Sequence, residues 1–161
     1  MDIRIATIYN LDEITAVEAE CFPAAEAATK DEFAERIKYY GNHFRLMFDD
    51  DKLIAFIDGF VTNEADLTDE MYEQAAMHNE NGAWQMIFGV NTLPAYRKHG
   101  YAGQLLQCMI DDARKQERKG LVLTCKETLI SYYAKFGFID EGITDKSLHG
   151  NAVWHQMRLT F

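Results

Sequence analysis

The sequence predicts one mixed α/β domain whose two central strands lie parallel and are each followed by a helix. Its length of 161 residues fits a single domain with a buried core. A hydrophobic content of 48% and a charged content of 26% are typical of a globular chain. Two apolar stretches, AWQMIFGV and LVLTC, each precede a segment with helical periodicity, and the right-handed crossover rule places such strands parallel in one sheet.

The first forty residues predict one strand and two helices. Residues 2–8 alternate apolar and polar side chains, as a half-buried strand does. Residues 10–21 carry apolar side chains at helical spacing, with Asn10 as the N-cap. A second helix begins at Thr29, because Thr29 and Glu32 have the spacing of a capping box.

A hairpin and a long polar segment follow. The stretches HFRLMFD and KLIAFIDGFVT predict two antiparallel strands joined by a tight turn. Residues 63–82 are polar and acidic, with a single short helix predicted from Thr68. We expect the rest of this segment to be a loop that lies over another part of the molecule, since loops of that length are usually functional or mobile.

The second half predicts the central strands and their helices. A strand over residues 83–90 leads to a helix from Tyr101 to about Arg118, with Gly120 ending it. LVLTC predicts a second buried strand and TLISYYAKF a short helix closed by Gly137. FIDEGIT and AVWHQMRLTF predict the last strands.

The charge balance narrows the class of partner. The chain has 16 Lys and Arg against 26 Asp and Glu, a net charge of −10, which argues against a nucleic-acid surface and favours small cations such as amines.

No stretch is apolar enough to cross a bilayer, so we expect no membrane contact. Cys21, Cys108 and Cys125 lack metal-ligand spacing with the histidines, which predicts reduced packing residues, no metal and a cytoplasmic location.

A short basic turn carries the first functional signal. Between Pro94 and Gly103 the chain reads PAYRKHGYAG, directly before the predicted helix. A helix N-terminus offers unpaired N–H groups and a partial positive charge, and glycine lets that backbone approach an anion. The turn therefore predicts a phosphate-binding site, although a solvated basic loop has the same composition. Neither the Rossmann nor the Walker pattern is present.

The second central strand and its helix carry the second signal. If the two strands separate at their ends, a long ligand arm can enter between them and pair with exposed backbone groups. Gly89 and Pro94 weaken and end the first strand, which suits such a separation. Tyr133, on the following helix, would point toward the same gap.

Both signals resemble motifs of the GNAT superfamily of acyl-CoA N-acyltransferases. Arg97-x-x-Gly100-x-Ala102 resembles its R/Q-x-x-G-x-G/A motif, and YYAKFGF its Tyr-x-x-x-Gly-Phe motif. LTCKETLISYYAKFGF, and LIAFIDG followed by LTDE, are similar to the arylalkylamine (serotonin) N-acetyltransferases. The resemblance implies a mostly antiparallel seven-stranded mixed sheet with two central parallel splayed strands and about four flanking helices.

The resemblance also implies acetyl-CoA as co-substrate. Backbone N–H groups of the turn would bind its pyrophosphate, strand residues would pair with its pantetheine arm, and an N–H near Val90 would support the oxyanion. The implied pyrophosphate-binding residues are Arg97, Lys98, His99, Gly100, Tyr101, Ala102 and Gly103. The implied pantetheine-pairing residues are Val90, Asn91 and Thr92.

Tyr133 matches the position of the family's general acid, which would protonate the departing thiolate. A thiol titrates near pH ~8.5 and a tyrosine near ~10, so the proton transfer is feasible. Tyr133 could instead be a core aromatic beside Leu129 and Phe136. Since Tyr132 is adjacent, one of the two tyrosines must point elsewhere.

The general base is where the sequence departs from the arylalkylamine enzymes. Their two strand histidines align with Met86 and Phe88, and neither side chain can accept a proton. Other candidates exist, each also readable as a surface or capping residue, and no base is assigned among them: Glu26, Asp58, His78 and His149.

Contacts to the acceptor are expected from Phe22 and Glu26, which follow the first helix. The 63–82 segment and the turn at 147–151 could reach the same side, and Trp84 and Trp154 are either an aromatic wall or core. The predicted function is direct acetyl transfer from acetyl-CoA to a small primary amine. Transfer to a protein or peptide and a non-catalytic acyl-CoA-binding module are the alternatives, and a homodimer is one open state of assembly.

Overall fold

The structure is a computed structural model that describes residues 1–161. It contains nine strands and five α-helices, in the chain order β1 (Asp2–Arg4), α1 (Leu11–Cys21), α2 (Lys30–Tyr40), β2 (Arg45–Asp49), β3 (Lys52–Asp58), β4 (Val61–Thr62), α3 (Asp69–Glu73), β5 (Trp84–Ile87), β6 (Gly89–Thr92), α4 (Tyr101–Lys115), β7 (Gly120–Cys125), α5 (Ile130–Ala134), β8 (Ile139–Ile143) and β9 (His155–Thr160). No helix has the length and apolar character needed to cross a membrane.

The strands form two sheets that meet where β5 runs into β6. One sheet has the order β1-β2-β3-β6 and the other β4-β5-β7-β9-β8. β5 and β7 are the parallel pair, and every other pairing is antiparallel. The predicted mixed α/β class with a central parallel pair is confirmed. The strand count is nine rather than seven, because the first central strand divides at Phe88 and β4 is a separate two-residue strand.

The division at Phe88 opens the sheet. β5 pairs with β7 only as far as Ile87 opposite Leu123. Beyond that point β6 pairs with β3, and the end of β7 pairs with β9. No strand pairs with the facing edges of β6 and the end of β7, which is the separation that the sequence predicted.

Helices cover both faces of the sheets. On one face α1 and α2 pack over a cluster of 18 buried apolar residues that includes Phe33, Phe56 and Phe60. On the other face α4 and α5 contribute to a cluster of 16, which includes Leu106 and Tyr133. The gap between β6 and β7 therefore has a helical layer above and below it.

Several boundaries differ from the sequence prediction: β1 ends at Arg4 instead of residue 8, and β9 covers His155–Thr160 instead of residues 152–161. Helix α4 ends at Lys115 instead of Arg118, and Gly120 begins β7. The Arg118 guanidinium donates hydrogen bonds to the carbonyl oxygens of Glu80 and Gly82, which draws the chain away from the helix axis. These acceptors are more than thirty residues away in the sequence, so helical periodicity could not reveal the end.

The segment 63–82 is more structured than the predicted loop. The short helix after Thr68 is confirmed as α3, and a second short turn covers residues 75–77. Leu67, Met71 and Ala75 are buried in the core. The segment is therefore part of the packed domain, and it brings Tyr72 toward the gap.

Candidate active site

Two cavities meet at the gap between β6 and β7. The first has a volume of about 270 Å³ and lies between α1, the α1–α2 connection, Tyr72 and the end of β7. The second extends toward the basic turn and the start of α4. Both cavities are lined by Val90 of β6 and Tyr133 of α5 and by three further shared residues, Cys21, Phe22 and Leu129. The arrangement is one continuous site with two chambers.

The second chamber ends on a run of backbone donors. None of the N–H groups from Lys98 to Gly103 donates a hydrogen bond to another backbone group. Gly100 is the N-cap of α4 with φ 81°, a left-handed conformation that brings consecutive N–H groups to the same side. A Cβ at Gly100 would have no protein atom within 4 Å, so the space above this backbone is open. An anion is the ligand that suits such a surface.

The basic side chains of the turn do not all point the same way. Arg97 Nε donates to the carbonyl oxygen of Thr92 at 3.0 Å, so this side chain lies along β6. Lys98 has a positive φ of 68° and the His99 ring lies 5.6 Å from the Tyr101 ring. Arg97 thus fixes the turn against the strand, while Lys98 and His99 remain at the surface.

Backbone groups of β6 face the second chamber. Leu93 N–H bonds to Ile54 on β3, and hydrogen-bonded and free positions alternate along an antiparallel pair. Val90 and Thr92 therefore direct their N–H and C=O groups away from β3, toward the gap. The Asn91 backbone bonds to β3, and its buried side chain lies on the face of the strand opposite to the side chains of Val90 and Thr92. Val90 can pair with an extended ligand through its N–H and C=O, and Thr92 through its N–H, because the Thr92 carbonyl oxygen already accepts from Arg97 Nε and Cys21 Sγ. The Asn91 backbone cannot pair with the ligand.

Tyr133 lies where the chambers join. Its side chain is 7% exposed and lines both chambers. Burial raises the pKa of Tyr133 far above its ordinary value, and no hydrogen bond from the protein offsets this effect. The phenol is therefore protonated throughout the physiological range and can donate. Tyr132 stacks edge-on against Tyr133, with ring centroids 5.1 Å apart, and lines only the second chamber.

The first chamber has mixed walls. Phe22 and Glu26, from which the sequence analysis expects acceptor contacts, both line it. Glu26 forms an ion pair with Lys126 at 3.0 Å. The 147–151 turn reaches the chamber, since a Cβ on Gly150 would come within 2.5 Å of Glu26 Cγ. Trp154 also lines the chamber.

Trp84 is placed elsewhere, under the Arg158 guanidinium at 4.6 Å. Of the two tryptophans, only Trp154 can contribute to an aromatic wall of the site.

Met86 and Phe88 occupy the strand positions where a histidine base was expected: Met86 is fully buried, and Phe88 packs on Tyr72 with ring centroids 4.9 Å apart. Most of the candidate bases are engaged by other groups. Asp58 is ion-paired with Arg36 at 3.1 Å. His149 stacks on Tyr72 and its Nε2 contacts the carbonyl oxygen of Glu26. Because a carbonyl oxygen can only accept, His149 Nε2 carries the ring proton in this contact, and His149 Nδ1 is left as a free acceptor.

His78 belongs to a separate cluster with His43 and Glu80, whose polar atoms lie within 4.8 Å of one another. Val61 N–H donates to His78 Nδ1 at 3.0 Å. The neutral His78 ring therefore carries its proton on Nε2, which faces Glu80 at 3.4 Å. A ring in this tautomer offers no lone pair to a cation, and Arg118 already bonds to the Glu80 carboxylate at 3.0 Å. The cluster stabilises the end of the 63–82 segment.

Residues 10–138 match the acetyltransferase (GNAT) family. The chain belongs to the GNAT acetyltransferase family. No curated protein is a significant sequence match to it.

Solved structures agree on the fold. The GphF GNAT-like decarboxylase in complex with isobutyryl-CoA has a TM-score of 0.84 with 18% identity over 99% of both chains. The loading GNATL domain of CurA from Lyngbya majuscula has a TM-score of 0.84 with 16% identity, over 99% of this chain and 96% of that one. Arabidopsis thaliana Naa50, in complex with a bisubstrate analogue, has a TM-score of 0.77 with 20% identity, over 99% and 98%.

Four charged residues that line the first chamber had no site role assigned from the sequence: Glu18, Glu32, Arg36 and Lys126. Glu18 lies on α1, is 5% exposed and lines the first chamber. Its Oε2 accepts a hydrogen bond from Ala28 N–H at 2.8 Å, and its Oε1 has no hydrogen-bond partner. The sequence did contain a sign of the burial of Glu18: this carboxylate lies one residue after Val17 and four after Ile14, on the apolar stripe of the helix.

Burial raises the pKa of Glu18 to about 7, and the nearby Asp58 carboxylate adds to the shift. Because the folded-state value lies above the unfolded one, the protonated form stabilises the fold. That stability is complete below about pH 4.5 and is lost as the pH rises through about 7.

Glu18→Gln is therefore expected to raise the free energy of unfolding at pH 8 by about 1–3 kcal/mol, from roughly 1.36 kcal/mol per pKa unit. At pH 4 the variant should gain almost nothing. Denaturant titration at both pH values measures the difference. Glu20→Gln, an exposed position on the same helix, is the control, and an equal gain for both variants would contradict the expectation.

Proposed function

We propose that this GNAT chain is an acetyl-CoA-dependent N-acetyltransferase that transfers acetyl directly to a primary amine of a small molecule. Lys98 to Gly103 would bind the pyrophosphate, and Val90 and Thr92 would pair with the pantetheine arm. The Val90 N–H would support the oxyanion, and Tyr133 would protonate the departing thiolate.

One observation carries the proposal: the two chambers meet at Val90 and Tyr133, and one of them ends on six free N–H groups. A thioester whose diphosphate lies on these N–H groups, with its arm along β6, would present its carbonyl at the junction. The acceptor would then approach from the first chamber. Two ligands meeting at one acid is the geometry that direct transfer needs.

The first chamber favours a small amine. Its volume of about 270 Å³ suits a compact ligand. Its two basic side chains, Arg36 and Lys126, are each paired with a carboxylate. Glu18 has no basic partner of its own, so an incoming ammonium group would find an unmatched carboxylate. Phe22 and Trp154 would cover an apolar or aromatic part of the acceptor, consistent with the resemblance to arylalkylamine N-acetyltransferases.

Two alternatives remain within reach of the same site. The fold similarity to Naa50 makes transfer to a peptide N-terminus the second candidate, with α1, α2 and the 147–151 turn as the peptide-facing walls. A non-catalytic acyl-CoA-binding module would use the second chamber alone.

We place the protein in the cytoplasm, since its three free cysteines fit a reducing compartment.

Thiol release from acetyl-CoA tests the proposal. The acceptor panel contains aryl-alkyl amines, polyamines, amino acids and short peptides, each at a matched concentration. We expect release with at least one small primary amine and no release above the hydrolysis background without an acceptor. Release with peptides alone would replace the small-molecule assignment, and release with no acceptor would favour the binding module.

Binding of the co-substrate is a separate prediction. Acetyl-CoA at about 100 times its dissociation constant should stabilise the fold by about 2.7 kcal/mol. For a domain of this size that corresponds to a rise in Tm of about 5–10 °C. A thermal scan with and without millimolar CoA measures it, with adenosine as the control ligand. An unchanged Tm with no heat of binding by calorimetry would contradict the assignment of the second chamber.

A further inference from the structure

We infer that Glu18 is the general base of the reaction, and that its Oε1 accepts a proton from the acceptor's ammonium group before attack on the thioester. The inference rests on the proposed function. It assigns the role that the sequence left open among Glu26, Asp58, His78 and His149, since Met86 and Phe88 occupy the strand positions where a histidine base was expected.

The position of Glu18 carries the inference. Gly89 immediately precedes Val90 on β6, and a Cβ placed on Gly89 would lie 3.4 Å from Glu18 Oε1. This oxygen therefore lies against β6 in the first chamber, one residue from Val90, which lines both chambers and carries the proposed oxyanion N–H. It has no hydrogen-bond partner, although the side chain is 5% exposed. A buried carboxylate oxygen without a donor favours a hydrogen-donating group brought against it, and a small shift of the Glu18 side chain toward the chamber that it lines would let an ammonium group reach this oxygen.

The surrounding groups hold Glu18 in place without neutralising it. Ala28 N–H bonds to Oε2 and fixes the orientation of the carboxylate. From β3 the facing group is Asp58, and from α2 it is Arg36, which donates to Asp58 Oδ2 at 3.1 Å and to the Tyr72 carbonyl oxygen at 2.9 Å. The charge of Arg36 is thus matched by Asp58, and Glu18 is left as the second carboxylate.

Two further groups complete the surroundings. Asn91 on β6 is uncharged, and its amide nitrogen lies 3.0 Å from the same Cβ position on Gly89. Glu32 of α2 lines the chamber and faces Arg36. Together the burial and the Asp58 charge give Glu18 a pKa of about 7, which suits a base that must accept a proton and release it again near neutral pH.

Every proton that moves in the reaction has a donor and an acceptor among Glu18, Tyr133, the two substrates and solvent. The ammonium passes one proton to Glu18 and becomes a neutral amine, whose nitrogen forms the bond to the thioester carbonyl carbon. As the C–S bond breaks, Tyr133 donates its phenolic proton to the sulfur and then takes one of the two protons on the acylated nitrogen, which leaves the amide with its single N–H. Glu18 finally releases its proton to solvent, so the net products are an amide, free CoA thiol and one proton.

Two other carboxylates lie near Glu18. Glu26 is paired with Lys126. Asp58 Oδ1 also has no hydrogen-bond partner and lies 3.2 Å from the same Cβ position on Gly89, but Asp58 does not line the chamber and its Oδ2 accepts a hydrogen bond from Arg36. His149 keeps Nδ1 free, but its ring stacks on Tyr72 beside Trp154, on the wall formed by the 147–151 turn. His149→Gln is therefore the comparison variant for Glu18→Gln.

The test is the pH dependence of kcat/KM for a primary alkyl amine, from pH 5 to 10. The parent should lose activity below about pH 7, where Glu18 becomes protonated. Glu18→Gln should be slower at pH 7 by roughly 10²–10⁴-fold. Its acidic limb should move to the amine's own pKa, since only the neutral amine can then react, and the two rates should converge near pH 10. Glu20→Gln should keep the parent profile.

Three results would overturn the inference, and they are distinguishable. A parent that acetylates no amine removes the proposed function and the inference with it. If Glu18→Gln acetylates the amine at the parent rate and with the parent's acidic pH limb, the inference is wrong and the proposed function stands. The same holds if the acidic limb moves in His149→Gln and not in Glu18→Gln. If Glu18→Gln does not fold, ¹³C NMR of the glutamate-labelled parent decides: one carboxyl titrating near pH 7 supports the inference, and titration of all of them below about pH 6 contradicts it.

Discussion

Replacing Tyr133 with phenylalanine is expected to lower kcat by roughly 10²–10⁴-fold while CoA affinity changes little. The substitution removes one hydroxyl and keeps the ring that packs against Phe138, 6.2 Å away between ring centroids. A single neutral hydrogen bond contributes only about 0.5–1.5 kcal/mol to binding, so any larger effect must come from proton transfer. The loss should appear in kcat and kcat/KM together, as for an interaction made mainly in the transition state.

Tyr132→Phe is the matched control for this variant. Tyr132 lines only the second chamber, so its loss should affect the KM for acetyl-CoA slightly and leave kcat near the parent value. Turnover by Tyr133→Phe at the parent rate, with saturating acetyl-CoA and a competent amine, would make Tyr133 a core residue. The general acid would then have to be sought elsewhere.

Gly100→Asp is expected to weaken CoA binding by about a hundredfold or more. The new carboxylate would stand over the free N–H groups of residues 98–103, where the diphosphate is proposed to bind. The loss of two charge-assisted hydrogen bonds, at about 1.5–3 kcal/mol each, is sufficient for this effect. Calorimetry with CoA and with acetyl-pantetheine, which lacks the diphosphate, measures it.

Gly142→Asp separates the charge effect from backbone strain. Gly142 on β8 has φ 94° and no atom within 4 Å of a built Cβ, so it matches Gly100 in conformation and open space. Both variants should lose about 1–2 kcal/mol of stability from the left-handed backbone. Only Gly100→Asp should lose CoA affinity, and it should bind acetyl-pantetheine nearly as well as the parent. Equal losses for CoA and acetyl-pantetheine would contradict the phosphate assignment.

The sequence predicted the parts of the site that depend on local order along the chain. Arg97, Gly100 and Ala102 lie within six residues, and a strand, a turn and a helix in that order leave the turn's N–H groups unpaired whatever the rest of the fold does. Tyr133 was placed toward the gap by its helix and by the motif. The roles of these residues stay predictions until ligand binding and turnover are measured.

The sequence could not place features that depend on packing between distant elements. Glu18 is buried only because α1 lies across β3 and β6, and its environment is made by Asp58 and Asn91, which lie 40 and more residues away in the chain. The end of α4 is set by acceptors at Glu80 and Gly82. The 63–82 segment is polar in composition, yet Leu67 and Met71 anchor it in the core.

The central claim, direct acetyl transfer at the junction of the two chambers, is tested most directly by following both products in one reaction. The protein is incubated with acetyl-CoA and the best amine of the acceptor panel, and thiol release and acetylated amine are measured by absorbance and mass spectrometry. We predict equal amounts of free CoA and N-acetylated amine, formed at a rate that Tyr133→Phe lowers. Thiol release without acetylated amine, or acetyl-CoA binding without either product, would contradict the claim.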